Sequence, residues 1–262
     1  PMNIKKILGV GMEHSHYTVT SPKIPPAFDG FKILHLSDFH CEPKKGMLEN
    51  LDNPDVIFFT GDMTDDTAQY DIFLKLLAKL VKTAPVYLIS GNHDVFRSDY
   101  EEFVRACRDM GAVYLQDESI IIERGEDRIL LHGIEDPGCR DGALVDAAII
   151  KSLSALRRFH SLYEILLFHR ANKLDLLAEA DFDLILSGHM HGGQIALPKL
   201  GGVLAPKSSF ADSANMFFPK YSGGIYKLGK SDVIVNRGMG NPVPLPRFGN
   251  PTEMCHIILK RE

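Results

Sequence analysis

The stretch Leu184-Ile185-Leu186-Ser187-Gly188-His189-Met190-His191 joins a short apolar run directly to two histidines that are separated by one residue. A short apolar run that stops at a glycine is typical of a buried β-strand. In an extended chain, residues i and i+2 point to the same side, so His189 and His191 are expected to converge on one site. This junction therefore predicts a strand that ends in a pair of metal-binding side chains.

Four earlier pieces of the chain have the same character, because a polar side chain that can bind metal stands where a strand is expected to end. They are Asp38-Phe39-His40, Gly61-Asp62, Gly91-Asn92-His93-Asp94 and His169. In open α/β sheets the functional groups gather beyond the carboxyl ends of the strands. Each piece alone is weak evidence for a metal site, since polar turns are common. Five such pieces in this order indicate a two-metal site that cleaves phosphate esters.

The residue types in these pieces suit a divalent ion in a hydrolase, which takes carboxylate, imidazole and amide oxygen ligands. Seven residues supply that set: Asp38, His40, Asp62, Asn92, His169, His189 and His191. Asp62 is the natural bridge, since the two oxygens of one carboxylate can face two ions. With two dications, two aspartates and a bridging hydroxide, the site keeps a charge of about +1, which attracts a phosphate ester. The set suits Mn, Fe, Zn or Co, and Mg less well because Mg prefers oxygen.

Strands and helices alternate over much of the first 190 residues, which predicts a layered α/β domain, and β-rich segments later in the chain predict a second sheet. Expected strands cover about 31–36, 56–59, 86–89, 164–168, 184–187, 224–228, 232–236 and 254–259, with a hairpin over 119–132. Expected helices cover about 68–82, 98–110, 143–159 and 173–179. We expect one domain over 1–262, with an extended N-terminal arm over 1–30 and a long loop over 195–222 near the site.

Composition narrows the classes of function and location. The net charge is −5 with a pI near 6.1, so no basic field favours a nucleic-acid partner. The four cysteines form no Cys-x-x-Cys pair, which predicts reduced thiols. The apolar run over 7–10 is shorter than the roughly 7–15 residues of a signal-peptide core, and no run reaches the roughly 18 residues of a membrane span. We expect a cytoplasmic protein, with peripheral membrane contact left open and no indication of the oligomeric state.

The order Asp-x-His, Gly-Asp, Gly-Asn-His-Asp, lone His and Gly-His-x-His resembles the calcineurin-like metallophosphoesterase superfamily, over nearly the whole chain. The run Gly188-His-Met-His-Gly-Gly-Gln194, the lead-in Ser21-Pro-Lys-Ile-Pro25 and the tail Asn236-Arg-Gly-Met-Gly240 resemble a bacterial subgroup. Some members of that subgroup are linked to the cell envelope, and some cleave lipid-linked nucleotide pyrophosphates. The resemblance implies a four-layer α/β/β/α sandwich of two mixed β-sheets flanked by helices.

The resemblance also implies a role for each residue of the site. One metal takes Asp38, His40, Asp62 and His191, and the other takes Asp62, Asn92, His169 and His189. His93 does not bind metal and instead protonates or stabilises the leaving oxygen, while Asp94 holds that imidazole in the right tautomer. Met190 points away from the metals.

Several residues near these motifs have two interpretations. Asp65 is either a partner of the metal site or part of a turn or helix N-cap. Glu135-Asp136-Pro137 either lines the site or forms a plain turn. Arg247 either binds substrate phosphate through its guanidinium or is an ordinary surface arginine. Six histidines have no motif around them and are expected to be structural or at the surface: His14, His16, His35, His132, His160 and His256.

The segment 195–222 is apolar as well as rich in Gly, Pro and Ser, and two interpretations remain for it. It is either an apolar lip for an acyl chain or a membrane, or a loop that packs its own small core, and the second is favoured because it has no amphipathic period.

The sequence thus predicts a metal-dependent phosphoester hydrolase, most simply a phosphodiesterase that uses a dinuclear centre and a metal-bridging hydroxide, with His93 at the leaving group. A pyrophosphatase that acts on a lipid-linked sugar nucleotide at the membrane surface is an alternative. A non-catalytic scaffold of the same fold is a second alternative, although the chain keeps every expected ligand. A nuclease is disfavoured by the charge and by the lack of an aromatic and basic groove.

Overall fold

Two six-stranded β-sheets form the centre of the fold. The computed structural model describes residues 11–44, 46–67, 69–139, 141–197, 201–204, 217–241 and 246–262. In the first sheet the strands lie in the order β1 (Met12–Thr20), β14 (Thr252–Lys260), β2 (Lys32–Leu36), β3 (Val56–Thr60), β4 (Val86–Ile89) and β5 (Val113–Tyr114). In the second they lie in the order β12 (Gly224–Leu228), β13 (Ser231–Val235), β9 (Leu184–Gly188), β8 (Tyr163–Arg170), β7 (Asp127–Gly133) and β6 (Glu118–Arg124).

Helices and a short separate hairpin complete the described secondary structure. The α-helices are α1 (Asp71–Leu80), α2 (Asn92–Val95), α3 (Tyr100–Asp109) and α4 (Gly142–Ala155), and 3-10 turns cover Pro26–Phe28 and Ala171–Leu177. The hairpin pairs β10 (Ile195–Leu197) with β11 (Gly201–Leu204). Among the described residues, no helix is long and apolar enough to cross a membrane.

The central strands are buried on both faces, which explains their continuous apolar runs. In β3, Val56 and Phe58 enter a core shared with the second sheet, while Ile57 and Phe59 enter a core under α1 and α3. In β8, Ile165 packs in the inner core between the sheets, and Leu166 packs in a third core under α4. Helix, sheet, sheet and helix therefore stack in four layers around three apolar cores, and the expected fold class is confirmed.

Within each sheet the strands nearest the middle run parallel. β2, β3 and β4 pair in parallel in the first sheet, and β7, β8, β9 and β13 do so in the second. Their carboxyl ends therefore lie along one edge of each sheet, and the loops that follow them carry the motifs.

The structure differs from the sequence predictions in two segments. Within the expected N-terminal arm, β1 is an edge strand that pairs in parallel with β14 over nine residues. Within 195–222, expected to be a loop, β10 and β11 form the hairpin, and residues 198–200 and 205–216 lie outside the described part. The expected single domain over 1–262 stays a prediction. All four cysteines are free thiols, as expected.

Candidate metal centre

The predicted ligands lie just beyond the carboxyl ends of five parallel strands. In the first sheet, Asp38 and His40 follow β2, Asp62 follows β3, and Asn92 begins α2 after β4. In the second sheet, the ligands are near the end of β8 and just after β9: His169, His189 and His191. The two sheets pack face to face across the inner core, which brings the ligands of the first sheet next to those of the second. All seven side chains are therefore close together and buried.

Several residues of this centre have strained backbones. Five of the predicted ligands have left-handed backbones with φ between 47° and 74°: Asp38, His40, Asp62, His189 and His191. This region costs energy for any residue with a Cβ, and such strain tends to cluster at functional sites. The sharp turns let short side chains leave consecutive strands and point to a common centre.

Two glycines of the motifs are required by close packing. A Cβ on Gly188 would lie 1.9 Å from Ser37 Oγ and 2.4 Å from Asp38 Oδ2. Gly61 has φ +88°, and a Cβ on it would lie 2.4 Å from the backbone nitrogen of Gly91. The strand ends can therefore approach one another only because these positions lack a side chain.

One group of side chains contains Asp38, His40, Asp62 and His191. His191 Nε2 lies 3.4 Å from Asp38 Oδ1 and 3.3 Å from His40 Nε2. His40 Nε2 lies 3.7 Å from Asp62 Oδ2. These are the residues expected at the first metal.

The second group contains Asp62, His169 and His189, with Asn92 beside them. Nε2 of His169 lies 3.3 Å from Asp62 Oδ2, 3.3 Å from Asn92 Oδ1 and 3.1 Å from His189 Nδ1. The same oxygen of Asp62 therefore contacts both groups, as a bridging carboxylate does.

These separations fit metal ligation. Ligand atoms about 2.1 Å from one ion stand about 3.0 to 3.5 Å apart, depending on the bond angle. Nitrogen lone pairs and carboxylate oxygens facing one another at such distances in a buried site repel unless a cation lies between them. The donor set thus fits two divalent ions.

The pKa values of the ligands point the same way. Burial, followed by the neighbouring His169, lowers the pKa of His189 well below its usual range, so this imidazole is neutral and one of its ring nitrogens has a free lone pair. Burial alone would lower the pKa of His169, but Asp62 and Asp38 overcome it and raise the value to about 10. A group of buried carboxylates thus draws a positive charge to its centre.

Two ligands are fixed by hydrogen bonds from their second ring nitrogen. His169 Nδ1 donates to the carbonyl oxygen of Thr60 at 2.7 Å, and His40 Nδ1 lies 2.7 Å from Asp65 Oδ1. Such partners leave Nε2 to the metal and set the plane of the ring. Asp65 is therefore a partner of the metal site, whereas the N-cap of α1 is Tyr70.

His93 lies beside this centre, about one-third exposed, with its ring centroid 5.1 Å from that of His40. Its Nδ1 lies 2.7 Å from Asp66 Oδ1. In the structure the buried carboxylate of Asp94, expected to hold the His93 imidazole, accepts hydrogen bonds from the backbone of Gly91 and from Thr64. Consecutive side chains of the short helix α2 point in different directions, so Asp94 lies under the loop rather than against the imidazole.

Asp66 is a functional candidate that sequence reasoning missed. The signal was available in the acidic pair Asp65-Asp66, three residues after Asp62. Its significance depends on the turn that sends one carboxylate to His40 and the next to His93.

Arg247 is not an ordinary surface arginine. Its side chain is buried, and its guanidinium donates to the carbonyl oxygens of His191, Arg237 and Gly240 at 3.2, 2.6 and 2.6 Å. Nη2 also lies 3.0 Å from His191 Nδ1. These contacts tie the histidine loop to the C-terminal tail.

The remaining candidates are structural. Met190 packs in the core under α4, as expected. Asp136 is buried and forms a two-bond ion pair with Arg170, at 2.6 and 3.0 Å, and its Oδ1 also accepts from the backbone nitrogen of Gly138, so it stabilises a turn of the chain. Glu135 bonds to Tyr100 and Gln116 instead of facing the ligands.

The hairpin that follows the histidine motif exposes several apolar side chains. Residues that are 40 to 64% exposed lie on neighbouring segments: Leu197, Phe217, Phe218 and Phe248. Phe248 bonds through its backbone to Gln194 and Ala196, and Phe218 to Val203. Within the described part of 195–222, Tyr221 is buried in the core under α4, whereas Phe217 and Phe218 are exposed, so the segment packs only some of its aromatic residues.

Comparison with known proteins agrees with this geometry. A family model described as calcineurin-like phosphoesterase matches residues 31–193. The uncharacterized metallophosphoesterase YkuE of Bacillus subtilis (strain 168) is 30% identical, covering 95% of this chain and 86% of that protein. The phosphodiesterase YaeI of Escherichia coli (strain K12) is 24% identical, covering 80% of this chain and 76% of that protein.

Two further comparisons concern architecture. A transmembrane protein with a metallophosphoesterase domain from Danio rerio is 30% identical over 91% of this chain, which spans only 55% of that protein. The crystal structure of TT1561 from Thermus thermophilus shares the fold at 13% identity with a TM-score of 0.50, covering 80% of this chain and 90% of that one. The family match and the relative of nearly equal length agree, and the chain belongs to the calcineurin-like phosphoesterase family of hydrolases.

Proposed function

We propose that this protein is a phosphodiesterase with a centre of two divalent ions. The first ion is held by Asp38, His40, Asp62 and His191, and the second by Asp62, Asn92, His169 and His189. The observation that carries the proposal is the position of Asp62 Oδ2, 3.7 Å from His40 Nε2 and 3.3 Å from His169 Nε2. When bound, the ions supply positive charge to the phosphoryl oxygens and make water a nucleophile at neutral pH.

The protein groups around the centre have separate tasks in this proposal. His93 Nδ1 donates to Asp66, so in the imidazolium form Nε2 carries the proton that passes to the leaving oxygen and leaves the ring neutral. The backbone nitrogen of His93 donates to Asp62 Oδ1 at 2.8 Å, which fixes the imidazole relative to the bridging carboxylate. Arg247 holds the loop of His191 rather than the substrate, because its side chain is buried and both of its terminal nitrogens bond to the surrounding loops.

The test is hydrolysis of bis(4-nitrophenyl) phosphate by metal-stripped protein, with and without added Mn. His93→Ala is compared with His160→Ala, which removes an exposed histidine outside the two ligand groups. We expect turnover that requires the metal and falls about 10²- to 10⁴-fold in His93→Ala only. Two bound ions with no turnover of any phosphodiester would overturn the proposal and favour the scaffold alternative.

The exposed aromatic residues favour a second candidate, a diester or pyrophosphate on a lipid-linked sugar nucleotide. Phe217, Phe218 and Phe248 lie on segments joined to the chain that leaves His191. Exposed aromatic groups of this kind can contact an acyl chain or a membrane surface. The resemblance to the envelope-linked bacterial subgroup supports the same candidate.

Its test compares a diacylated pyrophosphate in mixed micelles with a water-soluble diester. Phe217→Ser with Phe218→Ser is expected to lower only the micellar rate. Ile121→Ser, at an apolar residue that is 46% exposed on β6 at an edge of the second sheet, leaves both rates unchanged. Equal losses on both substrates would count against it.

A further inference from the structure

One edge of the second sheet is the strand β6, which pairs on one side only. Among the described residues its one neighbouring strand is β7, and the ladder between them has no bulge. Natural proteins often protect an edge strand with a proline, a bulge or a central lysine, because its unpaired N–H and C=O groups can bond to a further strand. The seven residues of β6 include none of these, and the middle three are isoleucines.

The backbone of β6 directs three residues towards the open side. Gly125 and Glu126 form a two-residue turn, so Arg124 and Asp127 are a hydrogen-bonded pair of the hairpin. Such pairs alternate along an antiparallel ladder, and the residues between them direct their N–H and C=O groups away from the partner strand. The open edge therefore consists of the backbone groups of Ser119, Ile121 and Glu123.

The two ends of β6 carry opposite charges on one face of the strand. Glu118 and Arg124 are an even number of residues apart, so their side chains share a face. Ile120 and Ile122 lie between them and pack on that face against the inner core. Within the described ranges, the carboxylate of Glu118 has no hydrogen-bond or ion-pair partner.

Arg124, at the other end, is available for a second carboxylate. Its side chain is 44% exposed, and its Nη1 lies 3.4 Å from Asp55 Oδ2. A guanidinium has five N–H donors in a planar fork, so it can bond to two carboxylates at once. β6 thus has an unpaired acid at one end and an exposed base at the other.

We propose that two copies of this chain associate through β6, which joins their second sheets into one continuous sheet. The two strands are antiparallel about a two-fold axis at Ile121, which lies opposite its own copy. Glu118 of each chain then faces Arg124 of the other, and Ile120 faces Ile122. The open backbone groups of the two strands exchange hydrogen bonds across the axis, because outward-directed residues lie opposite one another in this register.

Charge favours this register over its neighbours. Slipping one strand by two residues places Glu123 opposite Asp117 of the second copy, and the reverse slip places Glu118 opposite Glu126. Like charges directly opposite each other destabilise a strand pair, whereas opposite charges stabilise it. A slip by one residue would instead set outward-directed backbone groups against inward-directed ones, so the hydrogen bonds would be lost.

The association is measured by sedimentation velocity up to about 100 µM, because small interfaces bind weakly. We expect wild type to dimerise. Glu118→Arg and Arg124→Glu should each raise the Kd at least about tenfold, since like charges then face each other at both ends of the interface. Glu179→Arg reverses an exposed glutamate outside both sheets and should dimerise as wild type does. The ligand groups of the metal centre come from one chain, so the readout is association and not turnover.

An equimolar mixture of Glu118→Arg and Arg124→Glu tests the register. In a heterodimer one variant supplies both arginines and the other both glutamates, so opposite charges meet at both ends. We expect the mixture to dimerise about as strongly as wild type. Wild type that stays monomeric throughout the series would overturn the proposal, as would equal dimerisation of wild type and both single variants, or a mixture that does not associate.

Amide hydrogen exchange locates the interface independently. The amides of Ser119, Ile121 and Glu123 should exchange more slowly in wild type than in Glu118→Arg at the same high concentration. Those of β12, at the opposite edge of the same sheet, should exchange equally in both proteins. Dimerisation without protection of β6 would assign the contact to another surface and overturn the proposal.

Discussion

His93 Nδ1 lies 2.7 Å from Oδ1 of Asp66, so the carboxylate that orients this imidazole comes from the turn after Asp62 and not from the adjacent Asp94. Both side chains are about one-third exposed, so the pair opens to the substrate side of the centre. In the proposed mechanism, the proton that reaches the leaving group is therefore controlled from a different loop than the one that carries His93.

Asp66→Asn is expected to lower kcat about 10- to 100-fold, because the imidazole loses its orienting acceptor. The free energy of unfolding should change by less than about 1 kcal/mol, since the carboxylate is partly exposed. Steady-state kinetics and urea unfolding of the same preparations measure both. Unchanged kcat would contradict the assigned role.

Asp94→Asn is expected to act on stability first. The amide cannot accept from Gly91 and Thr64 as the carboxylate does, and a buried unsatisfied donor costs about 1–3 kcal/mol. Burial, with Asp62 nearby, raises the pKa of Asp94 to about 6, so unfolding is measured at pH 8, where the group is charged. If stability were unchanged while kcat collapsed, the original assignment of Asp94 to His93 would regain support.

Arg247→Met is expected to lower the free energy of unfolding by about 3 kcal/mol, because three buried carbonyls lose their donor. Arg128→Met serves as the control, since Arg128 is 58% exposed and pairs with an equally exposed Glu123. That control should change stability by less than about 0.5 kcal/mol. Equal effects in chemical denaturation would show that Arg247 does not brace the loop.

Metal removal is expected to lower the melting temperature, because the buried carboxylates of Asp38 and Asp62 lose their compensating charge. A ligand at 1,000 times its Kd stabilises the native state by about 4 kcal/mol per site. Calorimetry with and without chelator measures the shift. In Asp62→Asn the shift should be smallest, since this residue contacts both groups; a shift equal to that of wild type would contradict the bridging role.

Acid is expected to destabilise the fold through His35. Burial lowers the pKa of His35 to about 3. Below the unfolded pKa of about 6.5 the unfolded chain takes up a proton that the native state refuses, so stability falls as the pH drops from there towards 3. Between pH 7.5 and 5.5, wild type should lose about 1 kcal/mol more than His35→Asn in urea unfolding. Parallel losses in both proteins would assign the acid sensitivity elsewhere.

Much of the fold could be predicted because local pattern and burial agree. The apolar runs before Asp62 and His189 are strands with both faces buried, and the structure has them as β3 and β9. The arm was harder to predict, because the pairing of β1 with β14 joins segments about 240 residues apart and leaves no local pattern.

The sequence by itself determined the ligand types, their order and the strand ends that carry them, because these depend on side-chain chemistry and on the period of a strand. Only the tertiary structure decided which carboxylate serves which histidine. Asp65 and Asp66 are adjacent in the chain, yet left-handed turns and the approach of two sheets send one to His40 and the other to His93. The tertiary structure also decided the environment of Arg247. An arginine is either exposed to solvent or bonded to buried carbonyls, and which of the two occurs depends on the loops that cover it.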